Sequence, residues 1–159
     1  METGKFYFIK DSYYERFSNC GLMENKEIDS EGNKHGRPCY YCFEINDLYW
    51  LVPISSKIDK YRDLYNKKIQ KRPNYDGIRF GYVNGIEKAF LIQNLCPVTY
   101  EYIDGMYTIE NGTKPVTIDE KLAKELNQIV LKIIKLYRKG IRITLSDIGT
   151  ILTDLEITI

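Results

Sequence analysis

Two periodicities, one of strands and one of helices, divide the chain. Lys5-Phe6-Tyr7-Phe8-Ile9-Lys10 is a short apolar, aromatic run and predicts a first strand. Asp11 or Ser12 stands where it can cap a short helix through Tyr13, Tyr14, Arg16 and Phe17. Polar residues then dominate 21–37, with Gly21, Gly32 and Gly36, and predict a long loop, a kind of segment that often carries function in compact domains. Strands are expected at 38–46 and 48–54 around a tight Asn46-Asp47 turn. Ile58, Tyr61, Leu64, Tyr65 and Ile69 recur at helical spacing and predict a helix over 57–71. Asn84-Gly85 between Ile78–Val83 and Ile86–Ile92 is the strongest hairpin pattern, and Asp104-Gly105 predicts a second, with Tyr100, Tyr102 and Tyr107 on its arms. Thr117 is expected to cap a helix striped by Leu122, Leu126, Ile129, Val130, Ile133 and Tyr137 and ended by Gly140. Ser146 is expected to cap a last short helix through Leu155.

This order of elements predicts an α+β fold: a twisted, mostly antiparallel sheet or partial barrel with helices packed around it. At 159 residues a single domain over 1–159 is expected, and 43% hydrophobic content is enough for a core. No apolar run approaches the roughly 20 residues of a membrane span, and no leader peptide is recognisable. Four cysteines without an export signal read as reduced thiols of a cytoplasmic protein. Cys39 and Cys42 form a C-x-x-C, but residues three apart on a strand point to opposite faces. Cys20 and Cys96 do not complete a zinc spacing, so neither a metal nor another cofactor is expected.

Charge changes the picture through its distribution. The net charge is only +1, yet Lys57, Lys60, Arg62, Lys67, Lys68, Lys71 and Arg72 stand against two anions, Asp59 and Asp63, in sixteen residues. A second cluster, Lys132, Lys135, Arg138, Lys139 and Arg142, lies near the C-terminus. A charge run is often only a solvated helix face, but the first one abuts Trp50-Leu51-Val52-Pro53-Ile54-Ser55-Ser56-Lys57, where an apolar strand runs into two hydroxyls and a lysine. Hydroxyl donors and a cation at a strand end suit a phosphate. Fourteen tyrosines offer flat faces that serve both half-buried strands and base stacking.

Several chemistries find no pattern here. There is no G-x-x-x-x-G-K-[ST] phosphate loop and no D-x-D or H-E-x-x-H spacing, and His35 is the only histidine, so a two-histidine mechanism is excluded. A route through hydroxyls, lysine, arginine and tyrosine suits RNA, which carries its own nucleophile, the 2′-hydroxyl; DNA lacks that group and is not expected as a partner.

On these residues the chain resembles the type III toxin–antitoxin endoribonucleases, the ToxN, AbiQ and CptN group, and most closely the CptN-like branch. The matching pieces are Lys5–Ile9 with Tyr13, Arg37-Pro38 entering a strand, Leu48–Lys57, Gly85–Val98 and the closing helix, in the same order over nearly the whole chain. The resemblance implies a core of the MazF/Kid type and a toxin that cleaves cellular RNA without a metal, with roles in phage defence. It also implies inhibition by a small repeat RNA folded as a pseudoknot, held in a multi-subunit RNA–protein complex. It places the catalytic hydroxyl pair on Ser55 and Ser56, the lysine on Lys57 or Lys60, and an early tyrosine on Tyr13; His35 is a candidate proton donor. Arg37, Lys60, Arg62, Lys67, Lys68, Lys71, Arg72 and Arg79 are the expected RNA contacts. Two other readings share parts of this pattern: a non-catalytic RNA-binding module using the same basic strip and tyrosines, and a protein-interaction barrel that grips a peptide.

Overall fold

The computed structural model describes residues 1–28 and 31–159. In chain order the elements are β1 (Phe6–Ile9), α1 (Asp11–Arg16), β2 (Lys26–Ile28), β3 (Lys34–Gly36), β4 (Cys39–Ile45), β5 (Leu48–Ser55) and α2 (Ile58–Lys71). Then come β6 (Arg79–Val83), β7 (Ile86–Phe90), β8 (Cys96–Val98), β9 (Ile103–Met106), β10 (Thr108–Ile109), β11 (Lys114–Pro115), α3 (Glu120–Arg138) and α4 (Ile148–Asp154). The fold is α+β, and its main sheet is antiparallel at every pairing and does not close into a barrel. Its order is β6-β7-β5-β4-β1-β9, with β8 also paired to β5.

The central strand is β5. It pairs with β4 on one side; on the other it pairs with β8 at Tyr49–Leu51 and then with β7 at Ile54 and Ser55. Strand alternation sends Phe6, Tyr40, Trp50 and Val52 to the face covered by α3, and Tyr7, Tyr41 and Leu51 to the face covered by α1. Both faces are therefore dry at the centre of the sheet, which is why β4 and β5 read as nearly continuous apolar runs. A third cluster, of Tyr61, Ile78, Ala89 and Leu91, packs α2 against the β6–β7 hairpin. Cys39 and Cys42 enter clusters on opposite faces of the sheet, and all four thiols are free and buried. No helix among the described residues is long and apolar enough to cross a membrane.

Two expected turns form as two-residue turns with positive φ: Asn46-Asp47 (53° and 58°) and Asn84-Gly85 (50° and 76°). The segment 21–37 departs from the expected loop, because Lys26–Ile28 and Lys34–Gly36 pair as a small hairpin, β2–β3; Asp29 and Ser30 of that segment lie outside the described residues. Asp104-Gly105 is not a turn either. It lies within β9, where Gly105 pairs with Phe8 and Ile103 with Ile9, leaving Asp104 as the extra residue of a bulge. The tight turn falls at 110–113, with Glu110 and Asn111 at positive φ, and joins β10 to β11. Two caps also move. Asp119, not Thr117, accepts from Leu122 N–H at 3.1 Å, and Asp147, not Ser146, accepts from Thr150 N–H at 3.0 Å. A carboxylate at the N-cap meets the positive helix end as well as the N–H, which favours it over a nearby hydroxyl.

Candidate functional site

The end of β5 builds the site. Ser55, its last residue, is 1% exposed and points inward, whereas Ser56 is exposed. The inward hydroxyl donates to Glu27 Oε1 at 3.0 Å and accepts from Lys57 N–H at 3.2 Å. Ser56 N–H donates to the same carboxylate oxygen at 3.0 Å. Glu27 is itself buried, and its Oε2 lies 3.5 Å from Arg37 Nη1. Arg37 in turn donates to the carbonyls of Glu24 at 2.8 Å and Ile54 at 2.7 Å. The serine corner is thus fixed from behind by a buried ion pair that spans β2, the entry to β4, and β5.

Ser56 lines one groove of about 440 Å³ together with His35, Lys88 and Glu27. The β2–β3 hairpin supplies one wall and the β6–β7 hairpin, through Val83, Asn84 and Ile86, the other; Phe8 and Tyr107 extend the apolar lining. Lys88 Nζ donates to Ser56 Oγ at 2.5 Å. A hydroxyl that accepts from an ammonium group has its own proton free to donate elsewhere, so the pair presents two donors suited to a phosphate oxygen. Glu27 and His35 are directly paired across β2–β3, which brings the imidazole to the same side as the serine corner. His35 Nδ1 lies 2.9 Å from the Gly36 carbonyl, which can only accept. That contact puts the proton of the neutral ring on Nδ1 and leaves Nε2 with the lone pair.

Of the residues expected in the site, only Ser56 and His35 meet in this groove. Ser55 lies directly behind it as a positioning residue. Lys57 is exposed at the N-cap of α2 and does not line it, and Lys60 is turned over the Tyr61 ring at 5.4 Å. Tyr13 is fully buried on the opposite face of the sheet, where its hydroxyl donates to the Pro97 carbonyl at 2.8 Å and burial pushes its pKa far up. As placed it touches neither groove nor solvent. Arg37, expected as an RNA contact, is 4% exposed and spent on Glu27 and two carbonyls.

The expected basic strip divides in the same way. Arg62 pairs with Glu87 at 2.5 Å and lies 4.0 Å over the Phe80 ring. Arg79 is held by Asp76 at 2.9 Å and Glu125 at 2.6 Å. Lys67, Lys68, Lys71 and Arg72 remain exposed along α2 and beyond its end. Lys88 and Glu27 were not expected. Lys88 lies on the strand after the Asn84-Gly85 turn, so its presence beside Ser56 follows from the Ser55–Ala89 pairing of β5 with β7, a contact between distant segments. Glu27 sits in a segment whose composition reads as polar loop, and no local pattern marks it.

Among the described residues no cluster of three or more His, Cys, Asp or Glu has the arrangement to hold a metal ion. Compared with known proteins, the chain matches no family model and has no significant match among curated sequences.

Proposed function

We propose that the chain is an endoribonuclease that uses the RNA 2′-hydroxyl as nucleophile, and that Ser56, Lys88 and His35 carry the reaction. In this reading His35 Nε2 accepts the 2′-hydroxyl proton while the 2′-oxygen attacks phosphorus. The Ser56 hydroxyl and the Lys88 ammonium meet the charge that builds on the non-bridging oxygens. The phosphorus–5′-oxygen bond breaks, the 5′-oxygen takes a proton from water, and the products are a 2′,3′-cyclic phosphate and a 5′-hydroxyl. The observation that carries the proposal is the Lys88–Ser56 contact at 2.5 Å on the wall of a groove that His35 also lines. The lysine of the reaction becomes Lys88 in place of Lys57 or Lys60.

With the sequence resemblance, this chemistry supports a toxin of a type III toxin–antitoxin system. Its core would be MazF/Kid-like, it would act in the cytoplasm, and a small pseudoknot RNA would block the groove. Short tandem repeats beside the gene and an RNA that copurifies with the protein are the corresponding observations.

The test is single-turnover cleavage of mixed RNA in excess EDTA, with the new ends examined for 2′,3′-cyclic phosphate. Removing one preorganised donor costs about 10²–10³ in rate, so Ser56→Ala and Lys88→Ala are each expected to slow cleavage by about that factor. His35→Gln is expected to slow cleavage by about 10²–10⁴, the usual contribution of a positioned base. Rates within twofold of wild type in both the serine and lysine variants would remove this site. A wild-type protein that binds RNA and leaves it intact would be the non-catalytic module.

A further inference from the structure

Arg142, from the second cationic cluster of the sequence, joins Lys68, Lys71 and Arg72, the end of the first, on one concave surface at the far end of α2. Gly140, at φ +81°, ends α3 with the paired bonds of a reversing C-cap: Gly140 N–H donates to the Tyr137 carbonyl at 2.8 Å and Ile141 N–H to the Leu136 carbonyl at 3.0 Å. The chain then runs back along the end of α2 and is fixed there by Leu145 N–H donating to the Gln93 carbonyl at 2.7 Å. This path sets Arg142 beside Lys68, Lys71 and Arg72 around a hollow of about 310 Å³ with Tyr75 and Gln93 among its lining. No carboxylate lines it, and none of the four cations makes an ion pair among the described residues. Arg142 is near enough to Asp147 to contribute to the lowering of that carboxyl's pKa, without pairing to it.

Two features make the hollow ready for an anion. The Arg142 guanidinium stacks 3.8 Å over the Tyr137 ring and donates to the Tyr137 carbonyl at 3.0 Å, so it is held in place before any ligand arrives. Lys68 and Lys71 occupy the last turn of α2, where the helix end favours cations, so four like charges are tolerated together. Lys132, from the second cluster, does not take part, because Asp76 holds it at 2.6 Å.

We infer that this hollow is a second RNA-backbone site, separate from the Ser56 groove and reached by the same RNA. The inference rests on the RNA reading above for its ligand class. Ser56 lies next to the N-cap of α2 and the hollow lies at its C-terminal end, so the 14 residues of the helix separate them by about 21 Å. At about 3.4 Å per nucleotide for a single strand whose bases stay stacked, that separation is on the order of six nucleotides. A tetranucleotide fills the groove alone, whereas a longer strand engages both places.

The experiment uses Lys68→Gln/Lys71→Gln/Arg72→Gln as one variant and Arg142→Gln as another, on the full chain. Fluorescence anisotropy with labelled 20-nucleotide and 4-nucleotide single-stranded 2′-O-methyl RNA, which lacks the 2′-hydroxyl nucleophile and stays intact, is measured over a salt series. The triple variant is expected to bind the 20-mer at least tenfold more weakly. Its slope of log affinity against log salt should be shallower by about 2, at about 0.7 per lost phosphate contact on a single strand. Arg142→Gln should act in the same direction and more weakly, and tetranucleotide binding should stay within twofold in both. An unchanged 20-mer slope, or tetranucleotide binding that falls in parallel, would overturn the second site. Polyglutamate that binds as tightly as the 20-mer would reassign the hollow to an acidic protein. Because binding is read without cleavage, a wild-type protein that fails to cut RNA refutes the catalytic proposal and leaves this result standing.

Discussion

Glu27→Ala removes the group that holds the serine corner, and its cost can be worked from the contacts. Glu27 accepts from Ser55 Oγ and Ser56 N–H at 3.0 Å each and faces Arg37 at 3.5 Å, with the two paired side chains 3% and 5% exposed. In the variant Arg37 keeps its two carbonyl partners and so stays buried with its charge uncompensated. Breaking a buried pair from one side costs about 3–5 kcal/mol. The lost bonds to the carboxylate push the expectation to the top of that range, about 5 kcal/mol. In a chain of this size each kcal/mol moves Tm by about 2–4 °C, so a drop on the order of 10–20 °C is expected. Urea and thermal unfolding followed by circular dichroism give both numbers. Glu27→Leu/Arg37→Met, which removes both charges, should recover most of the loss. A single variant that loses less than about 1 kcal/mol, or a double variant no more stable than the single, refutes the buried-pair account.

Two further expectations concern groups away from the groove. The Asp147 carboxyl is held below its ordinary range by the Thr150 backbone N–H and by the Thr150 hydroxyl. A folded-state pKa lowered in this way stabilises the fold above the unfolded value and loses that effect as pH falls through the folded one. Asp147→Ala should therefore cost about 0.5–2 kcal/mol at neutral pH, and the gap from wild type should shrink only below about pH 4. A gap that persists undiminished in acid would mean that the charge contributes nothing. The four thiols should resist iodoacetamide in the folded protein at pH 8 and all react once it is unfolded. Burial pushes Cys39 up to about 12, and Cys20, Cys42 and Cys96 are also raised by burial. Rapid labelling of the native protein, read by mass spectrometry, would contradict this packing.

Local physics made much of the fold legible and only part of the site. The Asn46-Asp47 and Asn84-Gly85 turns, the stripe of α3 and the apolar run of β5 each follow from residues close in sequence, and each formed where expected. The Asp104-Gly105 pattern misled because pairing with β1 absorbed it as a bulge. The β2–β3 hairpin was hidden because its short strands carry mostly polar residues and a glycine; its one buried side chain, Glu27, is stabilised by an ion pair and not by apolar area. Ser56 and His35 stood out by residue type. Lys88 was indistinguishable from any strand lysine until the β5–β7 register set it beside Ser56. Tyr13 shows the opposite error, since an aromatic hydroxyl near a polar segment is equally suited to a core that offers it one carbonyl.

The adjacent serines have unlike fates because consecutive residues at a strand end look in opposite directions. Parity is what separates anchor from reagent, so the two letters are not interchangeable copies. One residue inserted ahead of them in β5 would turn the anchor outward and bury the reagent, with composition and charge unaltered. The chemistry of this chain is therefore more exposed to a shift in counting than to most changes of side chain.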